Sequence, residues 1–595
     1  MKLTAVALDY DGTIAHNDRV DAEVRSAIAE VRSRGILVLL VTGRVLDDLR
    51  RVAGSLHFVD GVVAENGAIV HFPDSGHTTE LAPRIPESFV AELQRRGIPH
   101  RVGTCIVDAA ASDAVRMLGA IQALELPLAL AFNRSRVMTV PQAVSKATGL
   151  HTALDMLRLS AHNALAIGDA ENDHELLRFV EVGVAVEWGS ASLRAAADDI
   201  VRGEGPSAVA EYLSQLARTA RLPVPARARR QLLLGHTEDG HEFSLAVRGR
   251  NVLITGDARS GKSWMAGLLC EQLILHGYCM CVIDPEGDYR SLEALPGVSV
   301  LGGDDPPPTP RELLRALRYP DRSLVIDLSH VPQDEKIGYI RSVLPALNTM
   351  RRRTGLPHRI LLDEAHYFLH DADASALLDF ESNGYIVVTY CASRLPSDLL
   401  AATEVMIVTC ESNPAEIDAL HRCCSRHSRV DRVAWSALAH LGEAQAMALP
   451  STAEATGALK PFTMARRLTP HVRHREKYVD VPVSDRRAFV FVEPDRTVRA
   501  RTLREFVAEL EHAAPSALVP YIVRNDFSRW IREVFGDHPL ASELRALEVR
   551  HRELKSPETI PEMVNAIRVR YDLLHEEETA AGSSAATHPL APALA

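Results

Sequence analysis

The chain has 595 residues and a formal net charge of −12, with 46% hydrophobic and 24% charged residues. That length exceeds what one hydrophobic core spans and points to about two to four domains. The acidic balance argues against a surface broadly built for nucleic acid, which needs Lys and Arg in excess. No apolar run reaches the roughly 18 to 20 residues of a membrane helix. The start, MKLTAVALDYDG, has neither the basic region nor the apolar stretch of a signal peptide. Neither Cys279/Cys281 nor Cys423/Cys424 has a second pair at zinc-ligand spacing. A cytoplasmic protein without a membrane partner is therefore expected.

In chain order, LTAVALD (3–9) is an apolar run ending in a carboxylate, followed by a helical pattern closed by Gly35 and a second run, ILVLLVT. Strand, helix and strand in alternation imply parallel strands with crossover helices. The pattern changes over about 81–140 and returns with NALAIGDAEND and VGVAVEW, as in a doubly wound domain carrying an insertion. This unit is expected over 1–216. The Arg-rich segment 217–231, ARTARLPVPARARRQ, reads as an exposed linker. A second α/β series, 232–473, runs through RNVLITG, CMCVIDPEGD, RSLVIDLS, RILLDEAH, GYIVVTY and EVMIVTC. Residues 474–578 read as a hairpin followed by helices at 501–512, 526–536, 538–553 and 560–575. The stretch 579–595 has the composition of a disordered tail.

Asp9 and Asp11 stand two apart at the end of the first run, so in an extended segment they point to one side. Gly12 allows the chain to turn there. Paired carboxylates at the carboxyl end of a parallel strand suit a hard cation such as Mg²⁺. One could attack phosphorus while the other handles protons. Thr42 and Gly43 follow another strand and offer a hydroxyl and a main-chain N–H for a phosphoryl group. Lys146 supplies a cation, and Asp169 and Asp173 follow a third strand.

These motifs, DYDGT, TGR, ENGA, the lysine before ATGL, and GDAEND, resemble the haloacid dehalogenase superfamily, in its Cof-type branch with a C2-type cap. The resemblance implies that Asp9 is a nucleophile forming an aspartyl-phosphate and Asp11 a general acid/base. It implies that Thr42 and Lys146 bind the phosphoryl group. Mg²⁺ would be held by Asp9, the Asp11 carbonyl and Asp169, helped by Asn172 or Asp173. VAVEWGSA departs from the family's Gly-Asn-Ala after the strand.

The second series carries GDARSGKS, which fits G-x-x-x-x-G-K-[ST] between an apolar strand and a helical run. Gly256, Asp257, Ala258, Arg259, Ser260, Gly261, Lys262 and Ser263 would cradle the phosphates of ATP. In this reading Lys262 lies on the β- and γ-phosphates and Ser263 on Mg²⁺. RILLDEAH ends a strand in Asp363, a candidate for the magnesium shell, with Glu364 placed to polarise water.

With VIDPEGDY and LLDEAHYFL, this segment resembles the HerA-like branch of the additional-strand P-loop ATPases. The resemblance implies a hexameric ring and an arginine reaching a neighbour's nucleotide, with Arg394 or one of Arg351 to Arg353 as candidates. The glutamine that often ends the strand after Walker B is missing from VVTYCASRLPSD, where Thr389, Ser393 or Arg394 could stand in. Only enough chain for a hairpin precedes the loop, in place of the family's small β-barrel. The fold class expected is thus α/β multidomain: a Rossmann-like core with an inserted cap, a RecA/HerA-like P-loop domain and a mostly helical C-terminal domain. The favoured function is a Mg²⁺-dependent phosphatase of a small phosphorylated metabolite, regulated or assembled by an ATP-hydrolysing module. The alternatives are an ATP-driven nucleic-acid machine and an ATP-gated scaffold with little turnover.

Overall fold

Ala5–Asp9 is buried along its whole length, as a strand covered by helices on both faces must be. In the computed structural model the described residues are 1–571 other than 225–228, 247–249, 258–259, 371–375, 426, 443, 452–456, 471–487, 493–495, 536 and 557. The tail expected at 579–595 and parts of the segments expected at 217–231 and 474–578 fall outside them.

The first sheet has eight strands, in the order Asp199–Val201, Val182–Val186, Ala164–Gly168, Ala5–Asp9, Leu37–Val41, Gly61–Ala64, Ile69–Phe72, His77–Glu80. The first six are parallel and the last two antiparallel. Val6 and Leu8 face a core shared with helices Ala22–Ser33 and Gly205–Thr219, while Ala5 and Ala7 face helix Lys146–Leu157. That alternation is the period-two burial of a strand. Ala5–Asp9 connects outward in both directions, so its carboxyl end is the topological switch point where such sheets bind ligands.

The insertion is a cap with its own core. Its four-stranded sheet, ordered Leu128–Asn133, Arg136–Pro141, Val107–Ala110, His100–Val102, packs through Val107 and Val137 on Phe89, Leu93 and Met117 of two helices.

The second unit has an eleven-stranded sheet. Its parallel part runs Val405–Val408, Val252–Thr255, Tyr385–Thr389, Arg359–Leu362, Met280–Asp284, Ser323–Asp327, Val298–Gly302. Tyr385–Thr389 lies between the strand entering GDARSGKS and the strand ending at Asp363, so it is the additional strand of such ATPases. Four antiparallel strands extend the edge: Gln445–Ala448, Lys460–Met464 and the hairpin Gln231–His236/Glu242–Ala246. Within the segment expected as a linker, helix Gly205–Thr219 continues to Thr219, and Arg229 and Arg230 dock on Asp198 and Glu181 of the first unit.

The two units meet at the amino ends of their strands. His162, just before Ala164–Gly168, stacks on Tyr278, just before Met280–Asp284, with centroids 3.9 Å apart. Tyr278 donates to Glu181 at 2.8 Å, and His358 Nε2 lies 3.1 Å from Asn163 Oδ1. Because the acidic side chains of both units sit at carboxyl ends, the two candidate sites face away from each other.

The C-terminal unit is an aromatic-centred helical cluster beside the hairpin Phe489–Val492/Thr497–Ala500. Trp530 is a core residue there, packed on Phe506 and Phe535. A helix at Pro515–Arg524 was not expected from its two prolines, of which the first sits in the opening turn and the second lies inside the helix. No helix among the described residues is long and apolar enough to cross a membrane.

Candidate active sites

The first site forms where three strand ends converge. Asp9 ends Ala5–Asp9, Thr42 follows Leu37–Val41, and Asp169 and Asp173 follow Ala164–Gly168. Lys146 opens the helix after the cap, where Ser145 and Thr148 form a capping box. Lys146 Nζ donates to Asp9 Oδ1 at 2.6 Å and to Asp173 Oδ1 at 2.7 Å, with the ammonium and both carboxylates buried. Thr13 donates to Asp9 Oδ2 at 3.1 Å. Asp173 Oδ2 accepts the main-chain N–H of Asp169 and Ala170, which fixes its rotamer at a short 3₁₀ turn.

Asp9, Asp169 and Asp173 present ligand oxygens within 4.8 Å of one another. Asp169 Oδ1 is buried without a hydrogen-bond partner among the described residues. Gly12 leaves the space beside them: a Cβ there would come within 2.4 Å of Asp169 Oδ2. Burial, reinforced by the Asp173 charge, pushes the Asp169 carboxyl up to about 6 against Arg134 and Lys146. Burial likewise raises Asp9 well above the usual carboxylate range, with Lys146 opposing it. Burial alone would lower the Lys146 ammonium, but Asp173 and Asp9 outweigh it and hold it above its ordinary value. Three buried carboxylates against one buried ammonium leave surplus negative charge and an unspent oxygen, the donor set a divalent cation requires.

Asp11 does not join this cluster with its side chain. Arg44 of TGR grips it through Nε and Nη2 at 2.7 and 2.6 Å, and donates also to Asp48 at 3.0 Å. Thr42 is buried and accepts the N–H of Arg44. Gly43 lies under the cap, where a Cβ would sit 2.9 Å from Met138 Sδ. Asn172 donates to Asn66 Oδ1 at 3.3 Å.

Three side chains to which the sequence assigns no role also shape the site. Arg134, at the cap's hairpin turn with φ 51°, reaches down and hydrogen-bonds Asp169. Trp188, within the departing VAVEWGSA, donates its indole N–H to the Gly12 carbonyl at 2.7 Å. Glu65 of ENGA is buried and accepts the N–H of Thr104 and Cys105 at 3.0 and 2.7 Å, which pins the cap's connecting segment.

In the second site, Gly256 and Gly261 adopt φ of 148° and 100°, backbone that favours glycine. A Cβ at Gly256 would meet the Cys410 carbonyl at 2.4 Å. Ala258 and Arg259 lie outside the described residues. Asp257 accepts the N–H of Ser412 at 3.1 Å, and Ser260 hydrogen-bonds Thr409 at 2.5 Å. Lys262 donates to the Asp257 carbonyl and Ser263 to Asp288, both at 2.7 Å. Asp288 belongs to VIDPEGDY, a motif whose spacing alone gives it no role. Asp284 collects the N–H groups of Gly287, Asp288 and Tyr289 at 2.7 to 3.1 Å, and so folds the turn that turns Asp288 towards the loop. Burial pushes Asp284 up to about 7, with the Asp288 charge adding to it.

Asp363 and Glu364 follow the Arg359–Leu362 strand, both buried, with Glu364 in left-handed backbone at φ 45°. His366 Nδ1 lies 3.1 Å from Thr389 Oγ1 and 3.5 Å from Glu364 Oε2. Of the three residues expected to stand in for the glutamine, Thr389 is thus at the strand end, with His366 between it and Glu364. Ser393 is tied to Glu416, and Arg394 is exposed. The expectation of a nucleotide-reaching arginine fails for Arg351, which is buried at the opposite end of the sheet and donates to the Pro357 carbonyl at 3.1 Å. Arg352 is committed to Asp379 at 2.7 Å.

Residues 6–110 and 100–213 match the family described as haloacid dehalogenase-like hydrolase, and residues 246–352 the one described as Helicase HerA, central domain. A phosphoglycolate phosphatase of Methanopyrus kandleri is 29% identical over 230 residues, 36% of this chain and 96% of the relative. One of Natronomonas pharaonis is 30% identical over 211 residues, 33% of this chain and 89% of the relative. Among solved structures, a haloacid dehalogenase-like hydrolase from Bacteroides thetaiotaomicron is 17% identical over 36% of this chain and 100% of its own, with a TM-score of 0.33.

Proposed function

Because the chain belongs to the haloacid dehalogenase-like hydrolases through its first 213 residues and carries a HerA central domain after them, we propose that it is a Mg²⁺-dependent phosphatase of a small phosphorylated carboxylate. Its ATP-hydrolysing unit assembles or regulates that phosphatase. The observation that carries the reading is the buried Lys146 bridging Asp9 and Asp173, with Asp169 beside them.

Asp9 attacks the phosphorus. The bond to the leaving oxygen breaks as Asp11, in its protonated form and turned from Arg44, gives that oxygen a proton. Water then attacks the aspartyl-phosphate and yields its proton to Asp11, so that phosphate leaves and the Asp9 carboxylate returns. Thr42, the Gly43 N–H and Lys146 bind the phosphoryl oxygens, and Asn172 supports them. Asp9, Asp169, Asp173 and the Asp11 carbonyl are the residues to hold Mg²⁺, which when bound supplies positive charge against the repulsion between phosphate and carboxylate. Arg134 is the cap's cation at the pocket mouth, suited to a substrate carboxylate. The name that the relatives carry, phosphoglycolate phosphatase, fits that chemistry.

In the ATPase unit, Lys262 and the N–H groups of 256–263 take the phosphates, Ser263 and Asp363 serve Mg²⁺, and Glu364 orients water. We expect a homo-oligomer, a hexameric ring by family likeness. The test is phosphate release by the full chain from 2-phosphoglycolate, sugar phosphates and p-nitrophenyl phosphate, with and without Mg²⁺. Mg²⁺-dependent turnover favouring the carboxylate ester is expected. Turnover indifferent to Mg²⁺ and to Asp9→Asn contradicts the reading.

A further inference from the structure

A cavity of about 230 Å³ opens on the seam between the two α/β units, away from both candidate active sites. Lys2 and Arg221 line it from the phosphatase unit, and Arg351, Arg352, His358 and Glu381 from the ATPase unit. Four of these six side chains are cationic and one is acidic, in a chain whose net charge is −12. The cations are therefore gathered here against the overall balance.

Some of that charge is already matched. Arg352 pairs with Asp379 at 2.7 Å, and Arg221 lies 3.7 Å from Glu381. Among the described residues Lys2 Nζ donates to a neutral group alone, the Arg352 carbonyl, at 2.5 Å. Arg351 is the unbalanced member. It is 4% exposed, stacks over Tyr385 at 5.0 Å, and donates to the carbonyls of Pro357, His358 and Asn383. Among the described residues no carboxylate hydrogen-bonds to it, and its Nη1, closed off from solvent, has no hydrogen-bond partner, so an anion in the cavity would act on its charge from the cavity wall. A buried guanidinium facing only neutral oxygens is costly, and the cost falls when an anion joins it. Burial accordingly pulls the Arg351 guanidinium below its ordinary value, with Asp379 and Tyr385 opposing.

The size restricts the ligand. At about 230 Å³ the cavity is smaller than the roughly 300 Å³ of pockets that take drug-sized molecules, a size that suits a compact oxyanion. We propose that the seam cavity is a binding site for a small phosphate-type oxyanion, orthophosphate or pyrophosphate, bridging Lys2 and Arg221 of one unit to Arg351 of the other. Lys2 precedes the strand that ends at Asp9, and His358 precedes the strand Arg359–Leu362 that leads into Asp363. An anion there touches the roots of both catalytic strands, which makes the seam a place where occupancy of one unit is felt by the other.

Isothermal titration of the full chain with orthophosphate and, separately, pyrophosphate in Mg²⁺-free buffer tests this against the double variant Lys2→Gln/Arg221→Gln. These rim residues lie outside both catalytic sets, so phosphatase turnover is expected to stay unchanged and reports that the variant is folded. The parent should bind one equivalent more than the variant, or bind at least tenfold tighter, with one of the two anions preferred. Arg351→Met should abolish the same equivalent. Equal stoichiometry and affinity in parent and double variant, for both anions, overturns the proposal.

Discussion

The two phosphate-handling regions neutralise their charge in opposite ways. Around Asp9 the cation is built in: Lys146 is buried and shared between two carboxylates before any ligand arrives. Around the P-loop, Lys262 and Ser263 spend their donors on the loop's own Asp257 carbonyl and on Asp288. The first site is preorganised by ion pairs that also hold the fold. The second keeps exchangeable contacts that phosphate and a cation can replace. One kind of side chain, a lysine, should therefore behave differently in the two places.

The largest expected effect separates the chemistries outright. Asp9→Asn should lower phosphatase turnover by at least about 10³-fold while ATP hydrolysis stays within about twofold. Lys262→Ala should abolish ATP hydrolysis and leave the basal phosphatase rate, measured without ATP, within about twofold. If either variant depresses both activities when each is measured without the other site's ligand, the two sites share their chemistry and the comparison fails.

The lysines should next diverge in stability. Lys146→Met leaves buried carboxylates without their cation and should destabilise the phosphatase unit by about 3–5 kcal/mol. Lys262→Met removes a donor from a loop carbonyl and should cost about 1 kcal/mol or less. Calorimetric unfolding of the full chain reads both. Equal losses would mean that Lys146 is not structural.

A smaller effect concerns the cap. Arg134→Ala should raise KM for a phosphorylated carboxylate about 10- to 100-fold, and change it much less for p-nitrophenyl phosphate. Equal effects on both esters would assign Arg134 to the phosphoryl group or the fold instead.

The smallest lies beside the P-loop. Burial, with the charges of Asp257 and Glu416 added and the Asn413 N–H opposing, raises the Glu411 carboxyl to about 8. A carboxyl raised in the fold keeps its proton where the unfolded chain has lost it, so its contribution to stability falls as pH climbs from the ordinary carboxylate range through about 8. Glu411→Gln should flatten that fall and stabilise the ATPase unit at pH 9 by about 1 kcal/mol or more, measured as Tm against pH. An unchanged pH profile would place the Glu411 proton elsewhere.

Sequence patterns went furthest where chemistry is local to a strand end. DYDGT, GDAEND and GDARSGKS each carry their strand, turn and reactive groups within about a dozen residues, so spacing alone exposes them. The additional strand was visible in the same way, through GYIVVTY. What stayed hidden needed docking. Arg134 meets Asp169 only because a separately packed cap closes over the sheet, and no periodicity around FNRSRV encodes that. Trp188 was noticed only as a departure, yet it braces the loop after Asp9. Arg351 read as a surface charge fit for a neighbouring subunit, because a seam between domains leaves no sequence signature. The edge strands Gln445–Ala448 and Lys460–Met464 were missed as well. They are short, and Lys460–Met464 contains a proline that edge positions tolerate.

The most direct test is to mix the full chain with 2-phosphoglycolate and Mg²⁺, quench in acid within a turnover, and map the protein by peptide mass. A phosphoryl increment on the peptide carrying Asp9, lost in Asp9→Asn, is the predicted result. Turnover without any such adduct, or with the increment on another residue, contradicts the account.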